Sequence, residues 1–493
     1  MQHRQRFRCL VRTLFITRIL KQSVKSNHLK NLSANTIQLV INQVFGLVIF
    51  YILSARLDKA SFGQFNWVLA VLLTAFNILA CGIDQLVIKK VARGDDAANV
   101  TSLFITHVLL SGLLFYTCLG FVWWLAPHNG PVLQLLMLIG AGKLALYFST
   151  PFKQLASGKE RFGLLAKMAV VSNIVRGIAL LLLALFQHIS LSITAIVFLA
   201  GDSLEFVVTL FLFYRYLRLP VVIKLIPKAY LKLLKEALPQ IGVVLFTSAL
   251  ARFDWIFIGL YLSAVKLAEY SFAYKAFEIS TLPLLAIAPL LLPRFVNLIK
   301  ERGIFPPGLF QLLRIELAGA AFIGLMLYLC WSPLVDWLTG DKYGTVNSAI
   351  ILVLAAGMPL MYFNNFLWSI GFAQGKMRLI FKVFAVTFVV NIIGDVMLIP
   401  LIGNIGAAIA YLAAMLAQAV LYSLSIEKQL ARRAGIDLLI CMVCSLVSGL
   451  ITLYIFTNIW AVVFFAAAMY ALLALLTGQI NLKKLTAIKL AIG

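Results

Sequence analysis

Apolar runs of about 20 residues recur along the whole chain, separated by short turns or basic loops. A run of that length crosses the roughly 30 Å hydrocarbon core as a helix. The pattern predicts fourteen such spans, the first beginning near Asn35 and the last near Ile459. No interval between them is long enough for a separate soluble domain. The expected fold is an all-α integral membrane protein.

A short stretch refines that picture. ASGKER (Ala156–Arg161) is followed 217 residues later by AQGKMR (Ala373–Arg378). A phosphate loop needs a glycine five residues before the Gly-Lys pair and Ser or Thr after it; Lys153 and Glu160 stand there instead. The repetition concerns architecture. Six spans separate the copies, an even number, so both halves have the same orientation, and Gly177 and Gly394 keep the same offset. Two pseudo-symmetric six-helix lobes are predicted, related by an axis along the membrane normal, with two helices appended. The expected divisions are a basic segment 1–31, an N-lobe 32–220, a linker 221–236, a C-lobe 237–427, two further spans within 436–479 and a tail 480–493.

Composition agrees. The chain of 493 residues is 62% hydrophobic and 12% charged, with a mean hydropathy of +0.99, against about 25% charged in soluble domains. A net charge of +24 raises the question of nucleic acid, and its placement answers it. With the N-terminus cytoplasmic, 33 Lys and Arg fall on the cytoplasmic side and 4 on the other, with five inside spans. This positive-inside bias predicts that both termini are cytoplasmic and that there is no nucleic-acid partner. Residues 1–31 read either as a basic helix on the anionic leaflet or as a disordered tail. The linker VVIKLIPKAYLKLLKEAL (Val221–Leu238), with Lys224, Lys228, Lys232 and Lys235, reads as a membrane-surface helix. Cys441 and Cys444 have C-x-x-C spacing, but on an apolar helix without nearby His they read as buried hydrophobes. No metal or cofactor motif is visible. The longest outer loop, SPLVDWLTGDKYG (Ser332–Gly344), is too short for a catalytic domain, so an enzyme is not expected. Trp123, Trp124, Trp331 and Trp337 fit an outer aromatic belt.

Five motifs in order carry a resemblance: ARLDKASFGQF (Ala55–Phe65), GIDQLVIKKVAR (Gly82–Arg93), EYSFAYKAFE (Glu269–Glu278), LPLLAIAPLLLPRF (Leu282–Phe295) and IPLIGNIGAAIAY (Ile399–Tyr411). The chain resembles the polysaccharide flippases (O-antigen and exopolysaccharide repeat-unit exporters) over roughly residues 30–430. Their superfamily also holds multidrug-and-toxin exporters and lipid II flippases. Asp58 stands where the family commonly has Gly. The resemblance implies a two-lobed transporter that moves an undecaprenyl-diphosphate-linked oligosaccharide across the cytoplasmic (inner) membrane by alternating access, with membrane lipids around it. A polysaccharide polymerase and glycosyltransferases are its implied partners. A lipid II flippase or a multidrug antiporter of the same superfold is the alternative.

Ionisable groups inside spans are costly unless they face a cavity or a partner. The basic ones are Lys143, Lys167, Arg176, Arg252 and Lys275; the acidic ones include Asp84, Asp202, Glu205, Asp254, Glu278, Glu316 and Asp395. At about 1.5 Å rise per residue, Arg252, Asp254, Lys275 and Glu278 share one level on consecutive helices. Arg176 and Lys143 lie at or just outside the midplane. The functional expectation is a cationic cavity of Arg252, Lys275, Arg176 and Lys143 for a diphosphate. Asp254 and Glu278 would pair with these cations or carry a coupling proton. Lys159, Arg161, Lys376 and Arg378 would stand at the cytoplasmic entrance. Purely structural ion pairs remain the alternative, since Lys275 and Glu278 are i, i+3 neighbours.

Overall fold

The computed structural model describes residues 37–125, 130–220, 222–223, 226–282, 307–426 and 428–480. The basic segment 1–31, Lys224, the tail 481–493 and most of the motif Leu282–Phe295 lie outside them. The described residues form helices and turns, and twelve helices are long and apolar enough to cross a membrane. The sequence count of fourteen adds α9 (Pro227–Tyr261) and α10 (Ala264–Ser280), and it is not reached by that measure.

The chain divides into two units. Unit 1 holds residues up to Leu57 and Ala75–Ile241; unit 2 holds Asp58–Thr74 and Gly242–Gly493. The main boundary falls within α9, between Ile241 and Gly242. The exception to chain order is α2 (Lys59–Leu79), whose first part is counted with unit 2. Within unit 2 the reason is specific: Asn66 Nδ2 donates to Ser271 Oγ at 3.0 Å, Trp67 Nε1 donates to the Ile256 carbonyl at 3.2 Å, and Lys59 pairs with Glu269 at 3.1 Å. Gly63 makes the approach possible, because a Cβ there would sit 1.7 Å from the Ala264 carbonyl oxygen. Gly63→Ala is expected to destabilise unit 2 by about 1–3 kcal/mol, the usual range for overpacking. A melting temperature unchanged from wild type would contradict this.

In unit 1, α1 (Ile37–Arg56) precedes the rest of α2, a short α3 (Ile83–Ala92), and α4 (Ala97–Leu125). Then come α5 (Pro131–Gly158), α6 (Phe162–Ala169), α7 (Val171–Leu185) and α8 (Leu191–Leu212), which runs into a π-helical turn at Phe213–Leu217. Helix starts follow the local chemistry. The side chain and then the backbone N–H of Ser61 hydrogen-bond to Asp58 and hold its carboxyl below the ordinary range, and Pro131 opens α5 where no donor is needed. Ser190 caps α8 through its hydroxyl.

Unit 2 continues with α9, α10, α11 (Pro307–Leu329), a short α12 (Trp331–Thr339), α13 (Ser348–Ala373), α14 (Met377–Ile402) and α15 (Asn404–Ser425). The appended pair is α16 (Lys428–Ile455) and α17 (Ile459–Leu476). In unit 1, α5 packs on α4 and α8, and α7 packs on α8; in unit 2, α13 packs on α11 and α15, and α14 packs on α15. The same pairing recurs in the same chain order, as a duplicated lobe requires. Lipid gives helices little hydrophobic reason to associate, so small residues set the close contacts. Gly324 meets the Ala355 carbonyl and Gly406 meets Leu398 at distances that leave no room for a methyl group.

Two expectations are corrected. The linker is not a separate helix, because its helical part starts at Pro227 and continues without a break to Tyr261. Trp331 is not a belt residue: it is 2% exposed and packs edge-on against Phe272, whereas Trp124 and Trp337 are exposed. Cys441 and Cys444 are buried free thiols in the unit 2 core, as their apolar helix implied.

Candidate functional site

Among the described residues, charge inside the spans gathers on α5, α7 and α8 in unit 1 and on α9 and α10 in unit 2, where Arg314 on α11 also pairs with Asp437 on α16 at 2.9 Å. Lys143 Nζ donates to Asp202 Oδ2 at 2.8 Å, and Arg176 Nη1 lies 3.2 Å from Asp202 Oδ1, an ion contact without hydrogen-bond alignment. Arg176 also donates through Nε to the Ser172 carbonyl and through Nη2 to Ser172 Oγ and Asn173 Oδ1. Its guanidinium stacks 4.5 Å from the Phe198 ring centre. Two glycines let the three helices close on this group. A Cβ on Gly201 would meet Arg176 Cγ at 2.8 Å, and one on Gly142 would meet the Leu199 backbone at 3.0 Å and Asp202 Cβ at 3.2 Å. One turn further along α8, Glu205 takes Lys153 at 2.5 Å and the Ser172 backbone N–H at 2.8 Å. Asp202 is fully buried. Three cations therefore face two carboxylates, and Lys143 and Arg176 are part of the packed interior.

The unit 2 cluster is more open. Arg252 on α9 and Lys275 on α10 share one carboxylate oxygen, Glu278 Oε2, at 3.7 and 3.0 Å. Their side chains are 21% and 18% exposed, and Glu278 is 37% exposed. Arg252 stacks 4.3 Å from the Trp255 ring centre, a cation–π contact that orients its fork. Both cations are thus partly open to solvent or ligand while they share the Glu278 carboxylate, and Asp254 acts on Arg252 from its other side. An arginine fork beside an ammonium matches phosphate oxygens in shape and charge.

Asp254 takes a different place. Its Oδ2 accepts from Tyr270 Oη at 2.6 Å and its Oδ1 from the Trp255 backbone N–H at 2.8 Å, in the buried core. Residues two apart on a helix point about 200° apart, so Arg252 and Asp254 share a level but not a face. Asp395 on α14 acts on Asp254 electrostatically, is 0% exposed, and has no hydrogen-bond partner on either oxygen among the described residues. Asn391, one turn away, is buried with an unpartnered Nδ2.

The repeated hexapeptides occupy matching places, at the ends of α5 and α13, and their basic residues Lys159, Arg161, Lys376 and Arg378 are exposed. Their backbones are out of step. In the first copy the left-handed residue is Glu160 (φ 55°) and Arg161 N–H closes on Ala156 O. In the second it is Gly375 (φ 71°) and Lys376 N–H closes on Gly371 O. Gly158 is still helical and is needed for packing, since a Cβ there would meet Val91 Cβ at 2.8 Å. Arg161 donates to the Tyr216 carbonyl at 2.8 Å.

From the sequence, Asp202, Glu205 and Asp395 are intramembrane acids with no role attached, and Lys153 is not among the intramembrane cations. For Asp395 a signal existed: Thr387, Asn391 and Asp395 recur every four residues in the apolar run that follows Lys382. The pairing of Asp202 with two cations depends on helix facing, which spacing along one helix does not encode.

A family model described as "Polysaccharide biosynthesis protein" matches residues 28–299. No curated protein matches the sequence. Among solved structures, the fold is similar to that of the lipid II flippase MurJ in an inward closed conformation. That match has 15% identity and a TM-score of 0.71, and it covers 89% of this chain and 97% of that one. An inward-facing multidrug resistance MATE family transporter of the MOP superfamily matches at 16% identity and a TM-score of 0.56, covering 81% of this chain and 99% of that chain. A MOP superfamily transporter from Pyrococcus furiosus matches at 12% identity and a TM-score of 0.56, covering 82% and 94%.

Proposed function

The chain belongs to the polysaccharide biosynthesis protein family, and on that premise we propose that it is a flippase for an undecaprenyl-diphosphate-linked oligosaccharide repeat unit. It carries this cargo across the cytoplasmic membrane by alternating access, with both termini cytoplasmic, and serves surface polysaccharide synthesis beside glycosyltransferases and a polymerase. The observation that supports this most is the half-open pair Arg252 and Lys275 sharing Glu278. A diphosphate cannot cross hydrocarbon uncompensated, and it competes with Glu278 for both cations. Lys143 and Arg176 keep unit 1 positive from within, with Asp202 as their counter-ion. The pair Asp254 and Asp395 carries the coupling proton or cation, taken up on Asp395, and Glu278 holds the cations between transport cycles. Lys159, Arg161, Lys376 and Arg378 meet the lipid diphosphate on entry.

Exporters of organic cations call for acidic or aromatic cavities, which the three cations against two carboxylates on α5, α7 and α8 disfavour in unit 1, whereas in unit 2 Asp254, Glu278 and Asp395 stand near Arg252 and Lys275. Ligand-induced stabilisation of the purified protein separates these readings. Undecaprenyl diphosphate at one hundred times its Kd is expected to stabilise wild type by about 2.7 kcal/mol. The monophosphate stabilises less at equal concentration, and tetraphenylphosphonium not at all. Stabilisation by tetraphenylphosphonium but not by the diphosphate would overturn the proposal.

A further inference from the structure

The first three turns of α9, Pro227–Ala237, play no part in the cargo site, yet they are built with care. Leu233 and Ala237 are buried and Tyr230 and Leu234 half-buried against unit 1, while Lys228, Leu231, Lys232 and Lys235 face outward. Together with Glu236, these outward residues line a shallow concavity of about 500 Å³. Val222, Ile223, Ile226 and Leu231 are exposed beside them. The surface is therefore both cationic and apolar.

Three contacts hold this segment on unit 1. The Val222 backbone N–H donates to Ser102 Oγ at 3.1 Å, Lys90 pairs with Glu236 at 2.6 Å, and Tyr230 Oη lies 2.9 Å from His107 Nδ1. His107 Nε2 lies 2.8 Å from the Leu79 carbonyl oxygen, which only accepts, so Nε2 carries the proton. In the neutral ring, Nδ1 then accepts from the Tyr230 hydroxyl. The hydrogen bond from Lys90 holds the Glu236 carboxyl below its ordinary range, so this anion is already matched by a cation outside the lysine row.

The His107 contact ties Tyr230 to Leu79, the last residue of α2. A cationic surface with exposed apolar side chains binds a leaflet by apolar insertion and by attraction to anionic lipid.

We propose that Lys228, Lys232 and Lys235 form a binding surface for the anionic phospholipid headgroups of the bilayer, which fixes the linker to the leaflet it faces. The same phosphate chemistry is present in the polyprenyl diphosphate cargo, but two features favour the bilayer. The three ammonium groups are spread over about 10 Å of helix, more than one diphosphate spans. They also stand in the open among exposed apolar side chains, which suit the glycerol and acyl region of an ordinary lipid.

The test uses the full-length protein in neutral detergent, with retained lipid counted by native mass spectrometry after titration with phosphatidylglycerol, phosphatidylcholine or undecaprenyl diphosphate. Wild type is expected to retain phosphatidylglycerol over phosphatidylcholine by about tenfold or more. The triple variant Lys228→Gln, Lys232→Gln, Lys235→Gln should lose at least about tenfold of that retention, and the triple Lys→Arg variant should keep it. Undecaprenyl diphosphate binding should be unchanged by the Gln triple, and phosphatidylglycerol retention unchanged by Arg252→Ala. Equal phosphatidylglycerol retention by wild type and the Gln triple would overturn the proposal. So would lysine-dependent retention of undecaprenyl diphosphate without phosphatidylglycerol, which would assign the surface to the cargo.

Discussion

Replacing Arg252 and Lys275 together by alanine is expected to cut glycan export by about 30-fold or more while the protein still inserts and folds. Truncating one partner of a desolvated charge pair costs about 2–5 kcal/mol, and 1.4 kcal/mol is tenfold. Both side chains are partly exposed, and the carboxylate they share, Glu278, is 37% exposed and can be hydrated once they are gone. Arg176→Ala should behave in the opposite way. It strips one of two cations from Asp202, which is fully buried, and so removes part of what holds α5, α7 and α8 together. A loss of about 3–5 kcal/mol follows, seen as reduced yield and a lowered melting temperature before any transport is measured. Size-exclusion profiles of both variants, alongside surface polysaccharide in cells carrying them, separate the two roles. Normal surface polysaccharide in the Arg252/Lys275 variant would remove these residues from the cargo site.

Asp395→Asn is expected to raise the melting temperature by a few °C and to reduce transport to background. Neither oxygen of this buried carboxylate has a hydrogen-bond partner among the described residues. An unsatisfied buried polar group of this kind costs about 1–3 kcal/mol, and an amide in its place avoids holding a charge there. Such a cost persists in a native protein chiefly where function needs the group. Asp395 lies near Asp254, which is itself satisfied by Tyr270 and the Trp255 N–H, so the pair has one carboxylate ready to take up a proton or cation. An Asn variant that transports at the wild-type rate, or one that melts lower, would contradict this role.

The legible part of the molecule was the part written in periods of one helix. Apolar runs placed the spans, and the copied A-x-G-K-x-R marked the ends of α5 and α13 as equivalent. The copy did not reveal that its two turns are offset by two residues, because Gly158 serves helix packing while Gly375 serves a left-handed turn. Counting rise along α9 and α10 correctly put Arg252, Lys275 and Glu278 at one level, and the three do meet. The same count grouped Asp254 with them, although its position two residues from Arg252 turns it into the core. Partners that depend on two or three helices facing each other, such as Lys143, Arg176 and Asp202, leave no trace in any one helix. The early part of α2 is a case of the same kind: its contacts with Ile256 and Ser271 lie about 200 residues away in sequence.

The central claim is the cargo, and transbilayer movement in liposomes measures it directly. Purified protein reconstituted with a fluorescent undecaprenyl-diphosphate-linked oligosaccharide should expose the lipid to an outer-leaflet quencher far faster than protein-free vesicles do. The Arg252→Ala, Lys275→Ala variant should match the protein-free rate. Equal rates with and without wild-type protein, or wild-type rates in the double variant, would contradict a lipid diphosphate flippase that works through these two cations.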